Sequence, residues 1–262
     1  MSKEIIHFAH ANGFPAKTYS KLFSFLKDDY EIKYLERHAH NPKFPVTEGW
    51  ERLRDELAEE LQKSPAPVIG IGHSLGGILH LLVASYHPEL YRQIILLDAP
   101  VISRLSSAGL RFLKATNLLD RYSPAKITRF RRNTWQTRTE VFEHFKSKPK
   151  FSDFDEDVLR DYAHHGTIET ERGFELFFKP SIEAKIYQAL PHNLPKLKGK
   201  LNVPTAYLGG TRSREGRLAR LSFMKRNFSF TFFTINGTHL FPLENPQQTA
   251  QIVKQIISGK KS

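Results

Sequence analysis

The segment Gly72-His73-Ser74-Leu75-Gly76-Gly77 constrains this chain more than any other stretch of it. An apolar run, Pro67 to Ile71, precedes it and another, Ile78 to Ala84, follows, so a serine stands where a strand turns into a helix. Glycines two residues to either side let neighbouring segments pass closer than side chains would permit. Such a turn strains the serine backbone and holds the hydroxyl clear at the carboxyl edge of a sheet. It also aims the next amide, that of Leu75, at a developing negative charge from the amino end of a helix.

The rest of the chain reads as strands alternating with helices. Glu4 to Ala9 is a buried strand, and Tyr19, Leu22, Phe23 and Leu26 then mark one helical face. Tyr30 to Leu35 is a second strand, and Trp50, Leu53, Leu57 and Leu61 stripe a helix for which Thr47 is the expected amino-terminal cap. After the serine come Gln93 to Leu97, Thr205 to Leu208 and Phe228 to Ile235 as further strands, and a last helix beyond Asn245-Pro246. This order predicts an α/β fold, a doubly wound and mostly parallel sheet of about six strands. Between about Ile102 and Leu194 no strand is evident. Residues 104–194 are therefore expected to form a helical insertion after the strand ending near Asp98, with 1–103 and 195–262 making the core.

Composition narrows the chemistry. None of the 262 residues is cysteine, which excludes disulfides, thiolate metal sites and a cysteine nucleophile. The chain enters its first strand without an apolar leader, and no run is long enough to span a bilayer, so a cytoplasmic protein is expected. The formal net charge is +12, and 12 basic against 3 acidic residues between Arg104 and Lys150 concentrate a net +9 in the insertion. No nucleic-acid-binding motif accompanies that charge. His164-His165, near Asp161 and Glu169, lack a metal-ligand spacing, and adjacent helical residues point apart. No cofactor or metal is expected, and nothing in the sequence fixes an oligomeric state.

A serine hydroxyl needs a base, and the base needs a carboxylate to hold its tautomer. Beyond the last strand the chain reads Gly237-Thr238-His239-Leu240-Phe241-Pro242-Leu243-Glu244-Asn245-Pro246. With the turn at Ser74, this resembles the α/β-hydrolase family, whose histidine loop commonly runs Gly-x-His, apolar residues, then Glu-Asn-Pro. The resemblance implies Ser74 as nucleophile, His239 as base and Glu244 as a loop-forming residue. It implies an oxyanion hole of two backbone amides, that of Leu75 and that of Phe14 in His10-Ala11-Asn12-Gly13-Phe14-Pro15, where Asn12 replaces the usual histidine. The family's usual acid lies just past the strand Thr205–Leu208, where this chain carries no aspartate. Two candidates remain: Asp98, the favoured one, at a position from which certain haloalkane dehalogenases take their acid, and as the alternative Glu215, two residues beyond the usual site.

The resemblance implies a serine esterase-like enzyme acting on an ester, thioester or related small acyl compound through an acyl-enzyme. The basic cap is either a solvated helical surface or a positive funnel for an anionic substrate or one on an acidic carrier. Phe174, Leu176, Phe177 and Phe178 would either line an acyl pocket or pack the cap. The alternatives are a non-catalytic binding protein on the same fold, or a relative that transfers acyl groups or cleaves carbon–carbon bonds.

Overall fold

The computed structural model describes residues 3–116, 118–219 and 221–259. Nine strands are present among them: β1 (Glu4–Ala9), β2 (Tyr30–Tyr34), β3 (Val68–His73), β4 (Tyr91–Leu97), β5 (Thr134–Trp135), β6 (Thr167–Thr170), β7 (Gly173–Leu176), β8 (Thr205–Gly210) and β9 (Thr231–Ile235). Six of them build one sheet in the order β2-β1-β3-β4-β8-β9, and every pairing in it is parallel. Strands β3 and β4 are central and almost wholly buried, which explains their unbroken apolar runs. Helices Glu51–Leu61, Leu75–Ala84 and Pro246–Ile257 cover the sheet, as their apolar stripes require. This is the doubly wound α/β fold expected from the alternation.

The winding order positions the site. From β1 the chain runs out to β2, then returns to β3 on the opposite side of β1. The loops leaving the carboxyl ends of β1 and β3 therefore part in opposite directions and open a crevice, the place where open α/β sheets bind ligands. The loop His10–Pro15 forms one wall of that crevice, and Ser74 stands at its floor.

The insertion corrects one expectation. It contains helices Arg104–Ala115, Leu119–Tyr122, Ala125–Arg129, Arg138–Lys146, Glu156–His165 and Pro180–Gln188, but also a small antiparallel sheet in the order β5-β7-β6. Those strands are two to four residues long. Segments that short cannot display a period of two, so the alternation that betrays longer strands was absent. The insertion also shares apolar packing with the sheet. Trp135, Phe145, Phe151 and Tyr162 lie in one buried cluster with Ile6, Phe8 and Phe14, and the Phe14 and Tyr162 rings sit 5.1 Å apart. Phe178 is buried against His10, Phe177 lies under the Arg37 guanidinium, and Leu176 joins the shared core. The segment Phe174–Phe178 thus packs the insertion onto the core and is absent from the walls of the cavity above Ser74.

Candidate active site

The turn after β3 has the strain its sequence implies. Ser74 adopts φ +52° and ψ −113°, and its N–H bonds Leu97 O at 3.0 Å while Leu75 begins the helix. A Cβ on Gly72 would fall on the backbone of Gly76 and Gly77, and one on Gly76 on the backbone of Ala9. Glycine is therefore required on both sides of the serine. Strain of this kind costs about 1–3 kcal/mol per residue and persists where the surroundings over-determine it.

Asp98, one residue past β4, is also strained, at φ +44°, and is fully buried. Its carboxylate accepts hydrogen bonds from Tyr207 Oη (3.1 Å), the Gly210 N–H (3.3 Å), Ser213 Oγ and His239 Nδ1 (2.7 Å). Burial and the adjoining Asp98 charge push the Tyr207 hydroxyl above its usual range, so it remains a donor. Glu215 is roughly half exposed, and its nearest carboxylate oxygen is 3.9 Å from the same imidazole nitrogen. Of the two carboxylates expected near His239, Asp98 makes the hydrogen bond and Glu215 stands at the periphery. Ser213 occupies the place where the family pattern has its aspartate, and here its hydroxyl supports a carboxylate carried on the neighbouring strand.

His239 follows β9 in a loop tied at both ends. Glu244, almost buried, accepts from the Thr238 N–H (2.9 Å) and from Thr238 Oγ1, while Asn245 Nδ2 donates to Asn236 O (3.0 Å). Glu244 thus holds the loop, as expected of it. With Nδ1 committed to Asp98, Nε2 is the nitrogen left for a partner in the cavity. Ser74 and His239 line the same cavity.

His73 was not singled out in the sequence, though it adjoins Ser74. Its Nε2–H donates to His239 O (2.8 Å), and its Nδ1 accepts from Tyr19 Oη (2.7 Å). Burial, reinforced by the nearby His239 charge, drives its pKa well below the usual imidazole value. A neutral imidazole of fixed tautomer therefore clamps the His239 backbone from beneath the turn. Tyr19, whose hydroxyl burial keeps protonated, completes the chain. His10 is packed rather than presented to the cavity: its Nδ1–H meets Ala11 O (2.8 Å) and its Nε2 accepts the His38 N–H (2.9 Å). His40 accepts the Lys179 N–H (3.1 Å) and so pins the insertion to the core.

The two amides expected to form an oxyanion hole differ in state. Leu75 opens its helix, where the N–H has no intrahelical partner. The Phe14 N–H instead bonds Ala11 O at 3.1 Å, closing the turn around Gly13. Asn12, beside it in the wall of the Ser74 cavity, has no such backbone bond among the described residues.

The cavity holds about 1380 Å³ and is roofed by the insertion. Arg131, Arg132, Lys148 and Lys150 from the basic stretch reach its wall, so part of the insertion's charge faces inward. Among the described residues, one cluster could hold a metal: Asp98, Glu215 and His239 have ligand atoms within 4.8 Å of one another. The Asp98 oxygens are already saturated by four donors, which fits a hydrogen-bonded carboxylate better than a ligand. His164 and His165 belong to no such cluster. No helix among the described residues is long and apolar enough to cross a membrane.

The sequence matches the alpha/beta hydrolase family over residues 8–252, and the chain belongs to that family. An abhydrolase domain-containing protein of Alternaria alternata, ACTT2, is 26% identical over 230 residues, spanning 71% of this chain and 81% of that protein. Two solved structures share the fold. E-2-(acetamidomethylene)succinate hydrolase superposes with a TM-score of 0.78 at 18% identity, covering 98% of this chain and 92% of that one. An esterase of M. tuberculosis gives 0.74 at 16%, covering 98% and 86%.

Proposed function

We propose that the protein is a serine hydrolase that cleaves a carboxylic ester, thioester or related acyl bond through an acyl-enzyme on Ser74. The observation that carries this reading is the 2.7 Å bond between Asp98 and His239 Nδ1, made beside a strained Ser74 in one shared cavity. Family membership supports a hydrolase of this kind.

In this mechanism Ser74 Oγ attacks the carbonyl while His239 Nε2 takes its proton. Asp98 orients the ring and stabilises the imidazolium, and Tyr207, Ser213 and the Gly210 amide keep the carboxylate in place. The tetrahedral oxyanion is held by the Leu75 amide. The second donor is the Asn12 amide in place of Phe14, whose N–H is spent on Ala11 O. Each such donor is worth about 10²–10³ in turnover. His239 then protonates the leaving group, and water deprotonated by the same imidazole attacks the acyl-enzyme and releases the acid. Glu215 has no part in the transfer. The basic cavity wall favours an anionic substrate, and the name of one structural neighbour gives a succinate derivative as its own.

A fluorophosphonate probe tests the reading. Wild-type protein labelled stoichiometrically, with labelling lost in Ser74→Ala, supports it; an unreactive Ser74 in folded protein makes this a binding protein instead. Product analysis separates hydrolysis from acyl transfer and carbon–carbon cleavage.

A further inference from the structure

One wall of the Ser74 cavity carries a polar cluster that the acyl-transfer steps leave unused. Helix Pro180–Gln188 of the insertion lies against the loop His10–Pro15, with Asn12 Nδ2 donating to Glu183 O at 3.1 Å. The Glu183 side chain packs against Gly13, where any Cβ would meet its carboxylate. Opposite it, Arg131 Nη2 lies 2.5 Å from Glu183 Oε2. Arg131 Nε is buried and has no hydrogen-bond partner among the described residues, and neither has Asn12 Oδ1.

Lys150 stands beside this pair. Its ammonium lies 4.6 Å from the centroid of the Phe14 ring, and the exposed Lys150 side chain lines the cavity with Ser74 and His239. Among the described residues no carboxylate comes within ion-pair distance of it. Glu183 and Glu215 act on it only at longer range, and Arg131 opposes them. The burial of the ammonium, with the Arg131 charge, lowers its pKa from the usual lysine value. Glu183 offsets Arg131, so the positive charge of Lys150 is left uncompensated beside Ser74.

An ammonium that faces a cavity without an ion-pair partner attracts an anion that enters that cavity. Here Lys150 borders the space a substrate must enter, with the Arg131–Glu183 pair behind it. Around His239 the cavity wall mixes charges, with Asp98 and Glu215 beside the imidazole and Arg212 and Arg214 near them.

We propose that Lys150, backed by the Arg131–Glu183 pair, is a carboxylate subsite, and that the substrate is an ester or related acyl compound bearing a carboxylate a few bonds from the scissile carbonyl. This rests on Ser74 as the nucleophile but reaches further, since it assigns the substrate's second functional group and the residue that selects it. Lys150 is a specificity residue. It takes no proton from the reacting atoms, and the carboxylate it binds remains unchanged through the reaction.

The test compares monomethyl succinate with methyl butanoate, an acyl chain of equal length without the charge, by following methanol release. Wild-type protein should prefer the succinate ester by at least about tenfold in kcat/KM, and 0.5 M salt should shrink that preference. Lys150→Met keeps the chain length and leaves no partner orphaned, because Lys150 has none. It should lower kcat/KM for monomethyl succinate about tenfold more than for methyl butanoate, chiefly through KM, and Lys150→Arg should restore most of the difference. Equal losses on both esters would instead place Lys150 on the oxyanion or in the packing and overturn the subsite; so would a wild-type enzyme indifferent to the carboxylate. If wild-type protein released no methanol from either ester, the nucleophile assignment would fail first. The subsite is then read by calorimetry of monomethyl succinate with Ser74→Ala, with and without Lys150→Met. Binding weakened about tenfold by the second substitution sustains the subsite, and unchanged binding refutes it.

Discussion

Mild acid should unfold this protein, because four fully buried histidines cannot accept protons in the native state. His7, His10, His73 and His80 all have pKa values driven down by burial, His80 to about 3 and the others well below the ordinary value. Neighbouring imidazoles reinforce the effect: His80 and His38 beside His7, His38, His40 and His73 beside His10, His239 beside His73, and His38 beside His80. Lys33 and Lys150 act in the same direction on His7 and His73. The unfolded chain takes up protons at about pH 6.5 and the native chain does not, so stability is fully present above that pH and is lost as pH falls. At pH 5.5 each site costs about 1.4 kcal/mol, and the four together lose about 5 kcal/mol relative to pH 7.5. That is comparable to the whole stability of an ordinary domain. Urea unfolding followed by circular dichroism should show the midpoint falling by about 2 M between pH 7.5 and 5.5. The slope should correspond to between three and four protons bound on unfolding, by the same linkage. A midpoint that stays constant over this interval would mean that these imidazoles titrate normally, and the buried neutral network described around them would be wrong.

Asp98→Asn should lower kcat by about 10³–10⁴ by leaving His239 in the wrong tautomer, whereas Glu215→Gln should change it less than about threefold; steady-state kinetics on a reactive ester decide, and the reverse ranking would return the acid to the loop after β8. Tyr19→Phe removes the donor to His73 Nδ1 and should cost about 1–3 kcal/mol of stability, with a fall in kcat as the His239 backbone loosens; unchanged denaturation and kinetics would remove His73 from the site's support. Gly76→Ala drives a methyl into the Ala9 backbone and should cost about 3 kcal/mol or more, seen as a large drop in Tm or loss of soluble protein. A Tm within a degree of wild type would show that the turn has more room than the packing of Gly76 against β1 allows.

Where the sequence carried its information locally, it was readable. Ser74 and its glycines, His239 with Glu244, and the strands of the central sheet announce themselves because each depends on residues adjacent in the chain. Asp98 was harder. It and Glu215 are both acids near a strand end, and they differ only in which one the sheet order brings to the imidazole. The Phe14 amide is a similar case, since its 3.1 Å bond to Ala11 O is settled by how the loop turns around Gly13. The strands of the insertion escaped notice because two to four residues hold too little pattern.

The amino-acid sequence alone thus determined the sheet, the turn that presents Ser74 and the loop that carries His239, because propensity, periodicity and steric demand act over a few residues. Only the tertiary structure decided which carboxylate meets the imidazole, that His73 clamps the His239 backbone, and that Lys150 faces the cavity without a counter-ion. Those outcomes depend on distances between segments up to 166 residues apart, His73 and His239 among them. Such distances are set by the packing of the whole molecule, which no local pattern encodes.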